Sequence, residues 1–299
     1  MTKRQKVLIV GYGEMGHAMQ FLLDGRHHIS IYDPRPIEGL MPVDFEQASE
    51  TADFILFCIP TQPLEAMLKR LAPHLQKHAI CLSISKGLDD LGRTPAQVYQ
   101  QTFHKEQRYC LLYGPMISEE IRAGRYGFAE LGCSDDAIFE EIKSLYRGSA
   151  LGIRRSSDIT GISWSVILKN VYAIAFGAAD ELKLGDNVRG FLTVTAMEEL
   201  SSIMERMGGK AATPLSFAGL GDLITTATSK GSHHHELGIK LVRGETKEIS
   251  GEGIHTLEMV ERYGLFDTSS YPLFSLVQSI VQNPKDTEQK VLSYLKSAQ

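Results

Sequence analysis

The sequence lacks the features that mark a nucleic-acid-binding or membrane-spanning protein. Its 299 residues contain no run of basic side chains, and the formal net charge is −5. A chain with this balance has no evident means of attracting a polyanion. No stretch of about 18 apolar residues, the length that a membrane span requires, is free of a charged or polar break. We therefore expect neither a nucleic-acid nor a membrane partner.

Paired cysteines and a targeting segment are also lacking. The four cysteines (Cys58, Cys81, Cys110 and Cys133) show no C-x-x-C spacing, and three of them lie in apolar, strand-like runs. Such cysteines are typical of reduced thiols in the core of a cytoplasmic protein. The positive residues before residue 7 are followed by an apolar run that is too short for a signal peptide. We therefore expect a cytoplasmic location.

A glycine-rich turn follows the first predicted strand, residues 6–10. The turn reads Gly11-Tyr12-Gly13-Glu14-Met15-Gly16, and a helix is predicted behind it at residues 17–23. Gly11 permits a tight turn, Gly13 lets a pyrophosphate approach the backbone, and Gly16 lets the helix lie close to the strand. Unpaired N–H groups at the helix N-terminus would face the anion. All six residues are candidate cofactor-binding residues, although the pattern alone fits a glycine-rich turn without a ligand equally well.

An acidic residue stands at the end of the second predicted strand, residues 28–32. Asp33 lies about 20 residues beyond Gly13, where a carboxylate accepts both ribose hydroxyls of an adenosine. A carboxylate at this point repels a 2′-phosphate, which favours NAD over NADP as the cofactor. Arg35 leaves NADP open, because an arginine two residues further on would accept that phosphate.

Strands and helices alternate over the first half of the chain. Further strands are predicted at residues 53–60, 79–85, 109–113, 128–133 and 150–154, with helices at residues 64–75 and 135–146. This alternation predicts an α/β domain, residues 1–156, with a Rossmann-like doubly wound sheet that binds a dinucleotide. Lys86 follows the strand at residues 79–85, at the edge where ligands bind in open α/β sheets. It is a candidate binding residue, and a surface lysine at a strand end is the alternative.

Residues 157–299 show no convincing strand and predict an all-helical second domain. Its longest predicted helix, residues 163–182, is apolar nearly all round and should be buried, yet Lys169 and Asn170 interrupt the apolar surface. A buried charge is costly unless it is paired, and desolvation lowers the pKa of a lysine toward the range useful for proton transfer. A catalytic Lys169 is therefore favoured over a lysine that snorkels to solvent.

Shorter helices are predicted along the rest of this domain. They lie at residues 190–208, from residue 223, at 237–243 and 256–263, and as a pair after Tyr271. Asp186 is the predicted N-cap of the first of them, and residues 229–236 are predicted to form a polar loop. The small side chains of the long helix suit either a monomer core or a homodimer interface, so a homodimer is left open.

Several motifs occur together in a fixed order along nearly the whole chain. Besides the glycine turn they are Ile59-Pro60-Thr61-Gln62, Ser85-Lys86-Gly87, Gly114-Pro115, Leu168-Lys169-Asn170-Val171, Gly185-Asp186-Asn187, Gly219-Leu220-Gly221-Asp222-Leu223, residues 226–229 and Gly251-Glu252-Gly253. In this combination the chain resembles the NAD(P)-dependent glycerol-3-phosphate dehydrogenase family of the bacterial type. The resemblance implies an oxidoreductase of glycerophospholipid metabolism that reversibly reduces dihydroxyacetone phosphate to glycerol 3-phosphate with a nicotinamide cofactor.

The resemblance also implies roles for individual residues. By position, Lys169 is similar to the general acid/base of the family, and Asp222 is similar to the hydrogen-bonding partner of that lysine. Further substrate-binding and cofactor-binding residues are implied at Lys86, Asn170, Thr226, Pro60 and Glu252. The chemistry agrees independently, because hydride transfer to a ketone builds negative charge on oxygen and requires a cationic donor there.

One segment departs from the family pattern. After Thr226 the family has Ser-Arg-Asn, whose arginine and asparagine hold phosphate groups, whereas this chain has Ser232-His233-His234 and then His235-Glu236. Histidines are mostly neutral near pH 7, so they hold a dianionic phosphate less well than an arginine does. His233 and His234 are still candidate substrate-binding residues. Met116 is a further departure, since the family has a serine directly after Pro115.

Three interpretations of the histidine segment stay open. The substrate carries another group, such as a carboxylate or a neutral tail; or the phosphate is held by Lys230, Lys86 or Arg189; or the segment binds a metal ion. The metal is disfavoured, because adjacent histidines lack the i, i+4 spacing of a helical metal pair, and no metal is predicted. At the level of function, the alternatives are a related dehydrogenase of another small keto or hydroxy compound and a non-catalytic dinucleotide-binding sensor.

Overall fold

The structure of the chain, a computed structural model, describes residues 4–229, 231–245 and 249–298. Met1–Asp89 and Arg93–Ile159 form one unit, here unit 1, whereas Asp90–Gly92 and Thr160–Gln299 form unit 2. Unit 1 contains a β-sheet and unit 2 is helical. The sequence predicts a division after residue 156, and the assignment of the two parts as cofactor and substrate domains stays a prediction.

Unit 1 is built on one seven-stranded sheet in the order β2-β1-β3-β4-β5-β6-β7. The strands are β1 (Lys6–Val10), β2 (His28–Tyr32), β3 (Phe54–Phe57), β4 (Ile80–Ser83), β5 (Arg108–Tyr113), β6 (Gly127–Cys133) and β7 (Leu151–Ser156). β3 and β4 are buried at every residue, as is typical of strands in a sheet covered on both faces. Neighbouring strands are parallel, except that β5 and β6 pair antiparallel. The predicted Rossmann-like α/β fold is confirmed.

The next two strands of the chain are added to the sheet on opposite sides of β1. The strand β2 pairs with one edge of β1, and β3 pairs with the other. Such a switch point opens a crevice at the carboxyl ends of the strands, which is where ligands bind in α/β proteins. The glycine turn follows β1 directly and therefore begins at this crevice. Pro60 and Lys86 follow the parallel strands β3 and β4 and leave the sheet at the same edge.

Unit 1 also contains the first six α-helices. They are α1 (Glu14–Leu23), α2 (Phe45–Thr51), α3 (Leu64–Leu71), α4 (Pro95–Thr102), α5 (Ser118–Arg122) and α6 (Asp136–Leu145). The sequence analysis predicts no element for α2, α4 and α5. At α4 the missed signal is a capping box, in which the side chains of Thr94 and Gln97 each accept a hydrogen bond from the backbone of the other residue. The helix α1 begins at Glu14 rather than at residue 17, so the end of the glycine turn is its first turn.

Unit 2 consists of helices, and none of its described residues lies in a strand. Its helices are α7 (Ile159–Glu181), α8 (Asp186–Arg206), α9 (Asp222–Thr228), α10 (His233–Arg243), α11 (Glu252–Tyr263), α12 (Pro272–Gln282) and α13 (Thr287–Ser297). The predicted N-cap role of Asp186 is wrong, because Gly185 is the N-cap of α8. The φ of Gly185 is 83°, a conformation that residues with a side chain rarely adopt.

The predicted polar loop at residues 229–236 is wrong in its second half. The helix α10 begins at His233, and the Ser232 side chain caps it by accepting a hydrogen bond from the His235 backbone at 3.4 Å. A serine cap and an acidic residue in the first turn, Glu236, together favour a helix start at this position. The three histidines therefore form the first turn of a helix rather than a loop.

The helix α7 forms the core of unit 2. It is long and apolar enough to cross a membrane by length and composition, but 89% of its most apolar window is buried within the protein. Every residue from Gly161 to Ala179 is buried, as in the core helix of a globular domain. The candidate residues Lys169 and Asn170 lie within this buried span.

A buried carboxylate joins α7 to two other helices of unit 2. Glu199 on α8 accepts hydrogen bonds from the Tyr172 hydroxyl on α7 at 2.9 Å and from the backbone N–H groups of Leu273 and Phe274 at 2.6 and 3.0 Å. Burial raises the pKa of Glu199, although these three donors oppose the shift. Two backbone N–H groups in the first turn of α12 thereby gain a hydrogen-bond acceptor, and α7 is linked to α8 and α12.

The helix α10 crosses α7 at two glycines. A Cβ atom on Gly177 would lie 1.8 Å from the His235 carbonyl oxygen, and one on Gly238 would lie 2.0 Å from the Ile174 carbonyl oxygen. Real Cβ atoms do not come this close to backbone oxygen, so the crossing requires glycine at both positions. The crossing places the histidine turn directly on α7.

Candidate active site

The predicted catalytic lysine lies in a buried polar cluster of unit 2. Lys169 on α7 donates a hydrogen bond from Nζ to the Thr226 Oγ1 atom at 2.5 Å, and its Nζ lies 3.2 Å from Asp222 Oδ2. Both the lysine and the aspartate side chains are 6% exposed. Asp222 and Thr226 are four residues apart on α9, so their side chains share one face of that helix. The structure thus brings these three predicted residues together.

The start of α9 is fixed by close backbone packing. A π-helical turn at Phe217–Gly221 precedes the helix, and a Cβ atom on Gly219 would lie 2.1 Å from the Pro214 carbonyl oxygen. The glycine at this position lets the turn pack against the preceding segment, and Asp222 is then the first residue of α9. A buried ammonium that is held by a carboxylate and a hydroxyl can donate a proton, or stabilise negative charge, at a substrate oxygen.

A second polar pair lies next to the lysine along α7. Asn170 donates a hydrogen bond from Nδ2 to Glu252 Oε2 at 3.0 Å, and Glu252 is the first residue of α11. The Asn170 Oδ1 atom is buried and has no hydrogen-bond partner within the described chain. Buried polar atoms are nearly always paired in proteins, so this oxygen is available to a hydroxyl or amide donor of a ligand.

The histidine turn lies against the start of α11. His233 Nε2 donates a hydrogen bond to the Ser250 carbonyl oxygen at 2.7 Å. His234 Nε2 accepts one from the backbone N–H of Gly253 at 3.2 Å, which requires a neutral ring with its proton on Nδ1. Both histidines therefore contact the segment that carries Glu252, and Glu252 in turn binds Asn170.

The third histidine of the turn belongs to an ion-pair network on the other side of α10. His235 Nε2 lies 2.7 Å from Asp180 Oδ2, and Arg189 binds the same carboxylate through two nitrogens at 2.7 and 2.6 Å. Burial acts to raise the pKa of Asp180, but the hydrogen bonds from Arg189 and His235 outweigh it and hold that pKa below its usual range. The pKa of Arg189 is raised mainly by its hydrogen bonds to Asp180. Arg189 is thus engaged by a carboxylate, which removes it as a free cation for a phosphate.

Two lysines are also candidates to hold a phosphate at this segment. Lys230 lies outside the described residues, and Lys86 belongs to unit 1. No group of three His, Cys, Asp or Glu side chains that could hold a metal ion lies within residues 4–229, 231–245 and 249–298. Residues 231–236 thus contain three imidazoles, of which that of His235 is paired with Asp180, and no guanidinium.

The glycine turn of unit 1 has the geometry of a phosphate cradle. Gly11 has a φ of 92°, and a Cβ atom there would lie 2.6 Å from the Cys58 carbonyl oxygen. A Cβ atom on Gly16 would lie 2.3 Å from the Gly11 carbonyl oxygen, whereas one on Gly13 would meet nothing within 4 Å. Gly11 and Gly16 are therefore required by the fold, and Gly13 leaves open space over the backbone. This arrangement fits the pyrophosphate of a dinucleotide.

Asp33 is held rigidly beside the glycine turn. Its Oδ2 atom accepts a hydrogen bond from the Tyr12 backbone at 2.9 Å, and its Oδ1 atom accepts from the backbone and the Nε atom of Arg35 at 3.0 and 3.2 Å. Burial acts to raise the pKa of Asp33, but these donors outweigh it and hold that pKa below its usual range. The carboxylate is therefore ionised at neutral pH and carries its own arginine partner.

The peptide that carries Lys86 is also held in place. Thr61 donates a hydrogen bond from Oγ1 to the Lys86 carbonyl at 2.7 Å, and the Tyr113 hydroxyl donates to the Ser85 carbonyl at 2.7 Å. The Ser85 hydroxyl donates to the Ile59 carbonyl at 2.6 Å. The sequence analysis assigns no role to these supporting residues, although Thr61 and Ser85 belong to motifs that carry the family resemblance. The predicted residues are thus divided, with the glycine turn, Asp33, Pro60 and Lys86 in unit 1 and the others in unit 2.

Solved structures share this fold. Glycerol-3-phosphate dehydrogenase from Coxiella burnetii matches with a TM-score of 0.83 at 22% identity, covering 98% of this chain and 99% of that one. At this level of identity the likeness concerns the fold. It extends over the α/β part and the helical part alike.

Sequence comparisons identify the family. A glycerol-3-phosphate dehydrogenase [NAD(P)+] from Maridesulfovibrio salexigens is 30% identical, covering 81% of this chain and 76% of that protein. One from Agrobacterium fabrum is 28% identical and covers 95% of each chain. The N-terminal family model of the NAD-dependent glycerol-3-phosphate dehydrogenases matches residues 40–138, and the C-terminal model matches residues 158–292. The chain therefore belongs to the NAD-dependent glycerol-3-phosphate dehydrogenase family.

Proposed function

We propose that this chain reduces dihydroxyacetone phosphate reversibly to glycerol 3-phosphate with NADH as the hydride donor. The observation that carries the proposal is the buried cluster of Lys169, Asp222 and Thr226. A lysine that is 6% exposed and paired with a carboxylate is costly to bury, and such groups concentrate where chemistry requires them. Family membership supplies the reaction type, and the cluster supplies the proton donor that this reaction requires.

Each side chain of the cluster has a separate role in the proposed reaction. When bound, the nicotinamide supplies the hydride. Lys169 Nζ donates the proton to the carbonyl oxygen of the substrate and stabilises the negative charge that develops there. Asp222 and Thr226 orient the ammonium group, and the unpaired Oδ1 atom of Asn170 accepts a hydrogen bond from a substrate hydroxyl. The cofactor would be held by the glycine turn, Asp33, Pro60 and Glu252.

The absorbance of NADH tests this proposal directly. We expect purified protein to oxidise NADH when dihydroxyacetone phosphate is added, and to reduce NAD when glycerol 3-phosphate is added. Dihydroxyacetone without its phosphate and a panel of small keto acids serve as comparison substrates. Turnover of a keto acid in preference to dihydroxyacetone phosphate would contradict the proposed substrate, and binding of NADH without turnover of any compound would identify a sensor.

A second candidate function is favoured by the histidine turn. His233 and His234 are held by Ser250 and Gly253, and the neighbouring Arg189 is engaged by Asp180. A dianionic phosphate would find less positive charge here than an arginine supplies. A related dehydrogenase that acts on a small keto compound with a carboxylate or a neutral tail is therefore the alternative, and the same panel of substrates separates the two.

The cofactor preference is a further expected result. We expect NADH to bind about tenfold more tightly than NADPH, because the Asp33 carboxylate accepts ribose hydroxyls and repels a 2′-phosphate. Arg35→Ala removes the guanidinium that Asp33 holds at 3.2 Å, so it should weaken NADPH binding further and leave NADH binding nearly unchanged. Calorimetric titration of both cofactors into both proteins measures this. Tighter binding of NADPH by the unaltered protein would overturn the preference.

The setting of the enzyme is also part of the proposal. We propose a cytoplasmic enzyme that supplies glycerol 3-phosphate to glycerophospholipid metabolism, acts on a small molecule without a nucleic-acid or membrane partner, and forms a homodimer. Four free cysteines, three of them buried, support a reducing compartment. The burial of α7 and the net charge of −5 support the absence of membrane and polyanion partners.

A further inference from the structure

The glycine turn contains an acidic side chain at the place where a pyrophosphate would bind. Glu14 is the first residue of α1, and its side chain is 65% exposed. A carboxylate at a helix N-terminus stabilises the helix, but it also competes with any other anion for the same N–H groups and repels it. The turn of this chain therefore requires a means of offsetting the charge of Glu14 if it is to hold a cofactor.

Two side chains of α5 hold this carboxylate. The Ser118 hydroxyl donates a hydrogen bond to Glu14 Oε2 at 2.9 Å, and Arg122 Nη1 donates to the same oxygen at 3.2 Å. Ser118 is buried, with 5% of its surface exposed, so the first of these contacts is fixed by the core of unit 1. The Arg122 side chain is 45% exposed, so its charge is partly screened by solvent.

The positive charge of Arg122 also acts on the side chain of Tyr12. Burial raises the pKa of the Tyr12 hydroxyl, and the nearby charge of Arg122 acts in the opposite direction. Tyr12 is the second residue of the turn, so the charge of Arg122 acts on one further side chain of the turn besides that of Glu14. The other carboxylate at the turn, Asp33, has its own arginine partner in Arg35. Each of these two carboxylates at the glycine turn thus forms an ion pair with one arginine.

We propose that Arg122 sets the affinity of the glycine turn for the cofactor by neutralising Glu14. Ser118 and Arg122 hold the Glu14 carboxylate on the α5 side, and the guanidinium offsets its repulsion of the pyrophosphate. The N–H groups of the first turn of α1 then remain available to the phosphate oxygens. This inference rests on the proposed function, since it takes a dinucleotide as the ligand of the turn. It assigns α5 a role in cofactor binding that the glycine motif does not contain.

Binding of NADH to charge variants tests the inference by calorimetry. Arg122→Gln should weaken NADH binding about fivefold, because an unbalanced carboxylate then faces the pyrophosphate. Glu14→Gln should strengthen binding about threefold, because it removes the same repulsion. The double variant should lie within about twofold of the unaltered protein, since it removes both charges. These differences should shrink at high salt, where exposed charges are screened.

A neighbouring ion pair supplies the matched control. Arg125 Nη1 lies 3.1 Å from Glu120 Oε1, and both side chains are exposed, so Arg125→Gln changes the net charge in the same way near the end of α5. It should leave NADH binding unchanged. The inference is overturned if Arg122→Gln binds NADH as tightly as the unaltered protein, or if Arg125→Gln weakens binding equally. An unaltered protein that binds neither NADH nor NADPH would instead overturn the proposed function, and the inference with it.

Discussion

Replacing Lys169 with alanine is expected to lower kcat for dihydroxyacetone phosphate reduction by about 10³-fold, the combined loss of a proton donor and of charge stabilisation. The affinity for NADH should change by less than about twofold, because Lys169 is not among the residues that would hold the cofactor. Steady-state kinetics and calorimetric titration of NADH measure the two quantities. A loss confined to kcat would place Lys169 at the chemical step rather than in cofactor binding.

The structure also indicates a side effect of this substitution. Removing the ammonium leaves the Asp222 side chain, which is 6% exposed, as a buried carboxylate that has lost the cation at 3.2 Å. Breaking a buried pair in this way costs about 3 to 5 kcal/mol of stability. The double variant Lys169→Met/Asp222→Asn removes the uncompensated charge, so it should regain stability and stay inactive. This variant separates the loss of chemistry from a loss of folding.

An exposed lysine of the same unit provides the control. Lys285→Ala changes the net charge equally at an exposed position and should leave both kcat and NADH affinity unchanged. If Lys169→Ala kept the turnover of the unaltered protein, Lys169 would not be the proton donor. The cluster would then be a structural ion pair.

The fold of unit 1 was predictable because its strands are short apolar runs separated by recognisable turns. The ends of β1 and β2 agree with the prediction to the residue, since Gly11 and Asp33 mark where each strand stops. The antiparallel direction of β6 was not predictable in the same way. It depends on pairing with β5 across a segment that contains only the five-residue helix α5, which is too short to be recognised from periodicity.

Candidate site residues are recognisable in the sequence where one residue breaks a local rule. Lys169 was conspicuous because a charge lies in an apolar helix, and Asp33 was conspicuous because an acid follows a strand. Residues that act through their contacts had no such signal, as Ser118 and Arg122 show. Their partner Glu14 is about 100 residues away in the chain, and only the folded structure brings them together. The histidine turn was wrongly predicted as a loop because its polarity outweighed the signal of its Ser232 cap.

Replacing Gly177 with alanine is expected to lower the free energy of unfolding by about 3 kcal/mol, at the upper end of the usual cost of overpacking. The new Cβ atom would lie 1.8 Å from the His235 carbonyl oxygen, a backbone atom that can move only if α10 moves. Displacing the first turn of α10 would disturb His233 and His234 and their contacts with the start of α11. We therefore also expect a higher KM for the substrate.

A second helical glycine of unit 2 provides the control for this prediction. Gly190 lies on α8, and a Cβ atom there would meet nothing within 4 Å, so Gly190→Ala should stabilise the protein by about 0.5 to 1 kcal/mol. Chemical denaturation of both variants gives the two free energies, and kinetics gives the two KM values. Equal stability of Gly177→Ala and Gly190→Ala would show that α7 and α10 are not in contact at this crossing. A stability loss with an unchanged KM would show that the histidine turn does not contact the substrate, and the phosphate of dihydroxyacetone phosphate would then have to be bound elsewhere.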